Sequence, residues 1–136
     1  MSQENVEIVR QVYEAVAAGD SEAVLAKYDT GVELDFSRSP FGNMQNKSVY
    51  RGHEGLRSFT RERYESWEEV EDHCQELIEA ADMVVSVVTS RGRGRESGVA
   101  VERTHYGLWS IDAGKVTSVR WFGTLAEALA AAGLRD

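Results

Sequence analysis

Between Val101 and Gly123 the chain sets a histidine, a tyrosine, two tryptophans and two arginines around an Asp112-Ala-Gly-Lys115 turn. An imidazole can move a proton near neutral pH, a phenol can hold a developing oxyanion, and a guanidinium can clamp an anion. His105 and Tyr106 are therefore candidate proton-handling groups. The same residues also alternate as strands of a hairpin, which splits them between two faces. One face takes Arg103, His105, Gly107, Trp109 and Ile111, continued across the turn by Val116, Ser118, Arg120 and Phe122. The other takes Glu102, Thr104, Tyr106, Leu108 and Ser110, continued by Thr117, Val119 and Trp121. Periodicity does not choose the inward face.

The elements that position these residues follow from turn signals and apolar period. Ser2 caps a helix to about Ala18, with Val6, Val9, Val12, Tyr13 and Val16 on one stripe. Asp20 or Ser21 caps a short helix over Glu22 to Tyr28, and Val32 to Phe36 alternates as a half-buried strand. Residues 37–51 hold the only proline and no period, a loop long enough to sit at a pocket mouth. It contains the sequon Asn46-Lys-Ser48, which means little without a secretory route. A third helix opens at Gly52 with His53 in its first turn, and carries Leu56, Phe59, Tyr64 and Trp67 inward. Strands are expected near 70–80, 83–92, 98–111 and 115–123. Thr124-Leu-Ala-Glu127 then caps an alanine-rich helix to about Ala132. Helices grouped against a mostly antiparallel sheet make an α+β fold.

Composition narrows the functional classes. At 136 residues the chain fits one domain over 1–136, with no linker and no repeat. A net charge of −8 repels polyphosphate, so nucleic acid is not an expected partner, and Arg91-Gly-Arg-Gly-Arg95 reads as a strand end and turn. No apolar run approaches the roughly 20 residues that span a bilayer, and no membrane is expected. The acids of Met1-Ser-Gln-Glu-Asn-Val-Glu7 do not fit a signal peptide, and with Cys74 alone the expected location is the cytoplasm. One cysteine and three scattered histidines offer no metal-ligand spacing, and no metal or cofactor is expected.

The element order resembles the cone-shaped α+β barrel of the nuclear transport factor 2-like (NTF2-like) superfamily, and within it the SnoaL-like group. The stretches that carry the resemblance are Ile8–Asp20, Tyr50–Phe59, Leu108–Val116 and Ala126–Leu134. The superfamily includes ketosteroid isomerases, polyketide cyclases, hydrolases and non-catalytic binding modules on one scaffold. It implies a curved sheet wrapped around a helix, an apolar cavity between them, and dimerisation through the outer sheet face.

Carried over residue by residue, the isomerase chemistry does not fit. The base position falls on Leu34, the helix tyrosine on Val12 beside Tyr13, and the late-strand aspartate on Tyr106. Asp35 is the nearest carboxylate, and it alternates away from Leu34 and Phe36. The cyclase acid is missing from Arg120-Trp-Phe-Gly-Thr124, and neither Arg103 nor Arg120 has the two aspartates of the hydrolase arrangement. The resemblance places Thr104, Tyr106, Leu108, Val119 and Trp121 in the cavity, joined by Val12, Leu34, Phe59 and Trp67. His105, Arg103 and Arg120 then face outward, where Trp109 and Phe122 offer a dimer surface; the opposite parity puts His105 and Arg120 in the pocket. The expectation is a binder of a small hydrophobic molecule. The alternatives are a cofactor-free isomerase, cyclase or hydrolase using Tyr106, His105 or Asp35, and a non-catalytic partner-binding dimer.

Overall fold

The computed structural model describes residues 2–39 and 47–133. Its elements are α1 (Ser2–Ala18), α2 (Ser21–Ala26), β1 (Tyr28–Arg38), β2 (Val49–Arg51), α3 (Gly52–Ser66), β3 (Trp67–Ala80), β4 (Met83–Gly94), β5 (Ala100–Asp112), β6 (Lys115–Phe122) and α4 (Leu125–Ala131). The short helices begin where side chains satisfy their first amides. Asp20 accepts from Ala23 N, and Thr124 accepts from Glu127 N, as the capping signals predict. The turn between β5 and β6 closes on Ala113 and Gly114, both at positive φ, which suits the twist of a two-residue hairpin.

Three boundaries differ from the sequence reading. Tyr28 opens β1 instead of ending α2, and it is buried. Trp67 opens β3 instead of closing α3, because the chain turns extended there, at φ −129 and ψ 143. The loop expected over 37–51 contributes strand at both ends, while its residues 40–46, Asn46 of the sequon included, lie outside the described residues, as does Leu134.

The six strands form one curved, mixed sheet in the order β2-β1-β6-β5-β4-β3. Among the described residues only β1 and β6 pair in parallel; the other neighbours are antiparallel. Each face buries its own cluster. On the inner face Val84, Trp109, Val119, Leu34 and Phe36 pack against Val9 and Val12 of α1 and Leu56 of α3. On the outer face Val85, Leu108 and Phe122 pack under Ala128 of α4. Removing such a side chain from water stabilises the fold by about 1.5–3 kcal/mol each.

The hairpin's register decides which side chains share the inner face. Trp109 pairs with Val119 and Ser110 with Ser118, but Ile111 pairs with Val116, so Thr117 is an extra residue on β6. Its hydroxyl donates to the Ser110 carbonyl at 3.1 Å. This bulge shifts the phase of β6 by one residue, so that Val116 and Val119 both join the inner cluster. The uninterrupted alternation assumed across the hairpin is therefore corrected. Trp121 belongs with His105, Gly107 and Trp109, while Tyr106 and Leu108 belong with Phe122.

Candidate functional site

On the inner face four rings form a ladder from α3 across the sheet. Phe59 stacks on Phe36 at 5.0 Å between centroids, Phe36 lies 6.3 Å from Trp121 and nearly parallel to it, and Trp121 stacks on His105 at 4.3 Å. Tyr50 closes against Phe36 and Phe59 edge-on. A glycine makes the third contact possible. A Cβ on Gly107 would stand 2.9 Å from the Trp121 ring and 2.9 Å from Ser86 Oγ. Without one, the indole lies flat on the sheet and reaches the imidazole.

A polar chain holds that imidazole from the other side. Arg63, on α3, donates from both terminal nitrogens to the two oxygens of Asp72 on β3, each at 2.9 Å. Ser90 on β4 donates its hydroxyl hydrogen to Asp72 Oδ1, and its oxygen lies 2.9 Å from His105 Nε2. A carboxylate only accepts, so the single Ser90 hydrogen is committed to Asp72. The Nε2–H of His105 must then donate to Ser90, which leaves the lone pair on Nδ1. The order Arg63, Asp72, Ser90, His105 thus fixes one tautomer.

Burial and charge set the ionisation of this chain. Burial raises the Asp72 carboxyl, but the Arg63 charge and the hydrogen bonds from Arg63 and Ser90 outweigh it, and its pKa falls below the usual range. Burial lowers His105 to about 4, the Asp72 charge pulling it up and Arg63 pushing it down. The site is thus a neutral imidazole beside an ionised pair. A second polar node lies nearby. Trp109 Nε1 donates to Ser86 Oγ at 2.9 Å, and the Tyr13 hydroxyl donates to the same oxygen at 3.1 Å. Burial drives the Tyr13 phenol well above its ordinary pKa.

The three candidate proton-handling groups do not converge. His105 points inward and is 6% exposed. Tyr106 follows it on β5 and packs on the outer cluster near α4. Asp35 pairs in register with Arg120 on the outer side of β1, its Oδ1 accepting from Ser37 N and Ser37 Oγ. Of the residues expected to line a cavity, Val12, Leu34, Phe59, Val119 and Trp121 do lie on the inner side. Leu108 and Thr104 do not: Leu108 sits under α4, and Thr104 meets Thr89 Oγ1 at 3.1 Å on the outer face. Trp67 flanks Gly92 on β4. Tyr64, expected to point inward, is 53% exposed.

The expected aromatic dimer patch is also corrected, since Trp109 and Phe122 are buried on opposite faces. Arg91, Arg93 and Arg95 are each ion-paired, to Glu71 and Glu102, Glu69 and Glu68 respectively. Arg63, Ser90 and Ser86 were not singled out in the sequence. One signal did point to Asp72: it falls in phase with Val70 and Cys74, alternating with Glu69, Glu71 and His73.

A model of the SnoaL-like domain matches residues 9–119. The chain belongs to the SnoaL-like family. No curated protein matches it by sequence. Solved structures of similar fold include an NTF2-like protein from Burkholderia thailandensis E264, 25% identical, covering 96% of this chain and 98% of that one with a TM-score of 0.77. TerC co-crystallised with polyporic acid is 18% identical, covering 96% and 99% of the two chains with a TM-score of 0.75. A Mycobacterium tuberculosis protein in complex with estradiol-17β-hemisuccinate is 16% identical, covering 90% and 95% with a TM-score of 0.71. The last two likenesses are of fold, and a SnoaL-like scaffold does not by itself specify a reaction. Among the described residues of this SnoaL-like chain, no helix is long and apolar enough to cross a membrane.

Proposed function

We propose that this SnoaL-like chain binds a small, flat, mainly apolar molecule on the inner face, stacked on the ring ladder at Trp121, whose indole His105 supports from beneath. The observation that carries this reading is the imidazole itself, fixed in one tautomer by three polar side chains and set against the half-buried Trp121. Pockets for such ligands combine aromatic walls with a few placed polar groups. Two relatives of the same fold are described with a ring-bearing molecule, polyporic acid in one and an estradiol ester in the other. Binding is favoured over acid–base catalysis by the ionisation of the site. An efficient general base has a pKa near the working pH, whereas His105 lies at about 4 and Tyr13 far above neutrality. A homodimer through the outer face of β3, β4 and β5 is part of the proposal.

Titration with 2-naphthol, followed by amide chemical shifts, tests the reading. Shifts are expected at Ser90, His105, Gly107 and Trp121. Phe59→Ala and Trp121→Ala are each expected to weaken binding by about tenfold, the scale of removing one stacked ring. Shifts confined to the outer face, or unchanged affinity in both variants, would overturn it.

A further inference from the structure

On the outer face, where β1 and β6 run parallel and end together, lies a cavity of about 380 Å³. Its walls are Asp35, Ser37 and Arg38 from β1, Arg120, Trp121 and Phe122 from β6, and Ala131 from α4. Asp35 pairs with Arg120 and Arg38 with Phe122, so β1 advances three residues while β6 advances two. That bulge sets Ser37 and Arg38 on the same wall as Asp35.

The cavity brings together two arginines that are unpaired among the described residues. Seven described arginines meet a carboxylate within 4.0 Å. Arg38 and Arg120, like Arg61 and Arg103, meet none among the described residues. Arg120 instead holds its guanidinium 5.9 Å from the Phe122 ring centroid, a cation–π contact that restrains it at the cavity wall. Asp35 is the one acid in the wall, and its Oδ1 is occupied by the Ser37 amide at 2.9 Å and hydroxyl at 2.6 Å. Two guanidiniums against one carboxylate leave a single positive charge, next to the apolar surfaces of Phe122 and Ala131.

We infer that this cavity is a binding site for a small organic monocarboxylate, whose anion takes Arg120 and Arg38 and whose apolar body lies on Phe122 and Ala131. The planar fork of arginine matches a carboxylate with two parallel hydrogen bonds. One negative charge completes the local balance. A dianion would overshoot it, next to Asp35 and on a chain whose net charge is already −8. The volume suits a small ligand. The cavity shares Trp121 with the ring ladder, but Asp35, Ser37, Arg38 and Ala131 belong to it alone, and they tell the two sites apart.

Benzoate, with neutral benzamide as its control, tests this on the full chain by amide chemical-shift titration. Saturable shifts are expected at Ser37, Arg120, Phe122 and Ala131 with benzoate and not with benzamide. The double variant Arg38→Gln/Arg120→Gln is expected to weaken benzoate by at least about tenfold, the loss of charged hydrogen bonds. Asp35→Asn, which removes the competing acid, is expected to tighten it. Should the double variant lose its native spectrum, Arg38→Gln alone, on an exposed side chain, and Asp35→Asn decide between the outcomes. Equal shifts with benzamide, shifts centred on His105 and Ser90, or an affinity unmoved by these substitutions would each overturn the inference.

Discussion

His105 shows how little a residue type says about its chemistry before its neighbours are known. In the sequence it is a histidine on a strand; in the fold it is a neutral ring held by Ser90 and covered by Trp121. The energetic consequence is a pH dependence of stability. The folded state holds the imidazole at about 4, against an ordinary value of 6.5. Between those values the unfolded chain takes up a proton that the native site refuses. Stability is therefore complete above about pH 6.5 and falls as pH drops toward 4, by about 3 kcal/mol in all. Asp72 acts in the same direction at lower pH, because its folded value is depressed and its contribution disappears only once it protonates. Urea unfolding at pH 7.5 and 4.5 measures the His105 part. The wild-type midpoint is expected to fall steeply between the two, and His105→Gln to flatten that fall. An equal fall in both proteins would place the titrating group elsewhere.

At the scale of elements, one salt bridge ties α3 to the sheet at the site. Arg63 and Asp72 are about one-fifth exposed and joined by two hydrogen bonds, so neither side chain keeps much water. Removing one partner leaves a poorly solvated charge, while neutralising both does not. Arg63→Met is expected to destabilise the fold by about 3 kcal/mol, and adding Asp72→Asn to recover part of that loss. Denaturant unfolding of the two variants checks it, and a double variant no more stable than the single one would refute the charge account. The same elements show what the sequence could and could not tell. Val32, Leu34 and Phe36 announced β1, and Thr124 and Asp20 announced two helix starts, because those signals are local. Which β6 residues share a face with His105 was not legible, because it depends on Thr117, one residue with an ordinary strand side chain that the register skips between Ser110↔Ser118 and Ile111↔Val116. Arg63 was missed for a related reason. Its partner lies nine residues away across a helix-to-strand bend, and neither a helical nor a strand period predicts that contact.

The whole molecule presents two unlike outer regions. Near α4 the sheet is covered by Ala128 and its neighbours over Leu108 and Phe122. Farther along β3, β4 and β5 the surface is polar. Gln75 donates to Thr89, Thr89 meets Thr104, and Arg91 pairs with Glu71 and Glu102. A dimer through that region would be joined by hydrogen bonds and bridging water more than by apolar burial, so it would be reversible. Two copies, each at −8, repel one another. Salt screens that repulsion over roughly 10 Å at 0.1 M, so association is expected to tighten as ionic strength rises, opposite to a contact made of complementary charges. Sedimentation velocity against salt measures this directly. The wild type is expected to move from the 15.1 kDa chain toward twice that mass, and Thr104→Glu, which adds a charge at the centre of the polar region, to stay single. A chain that remains single at every salt concentration, or a Thr104→Glu variant that pairs as the wild type does, would remove the outer face as the contact.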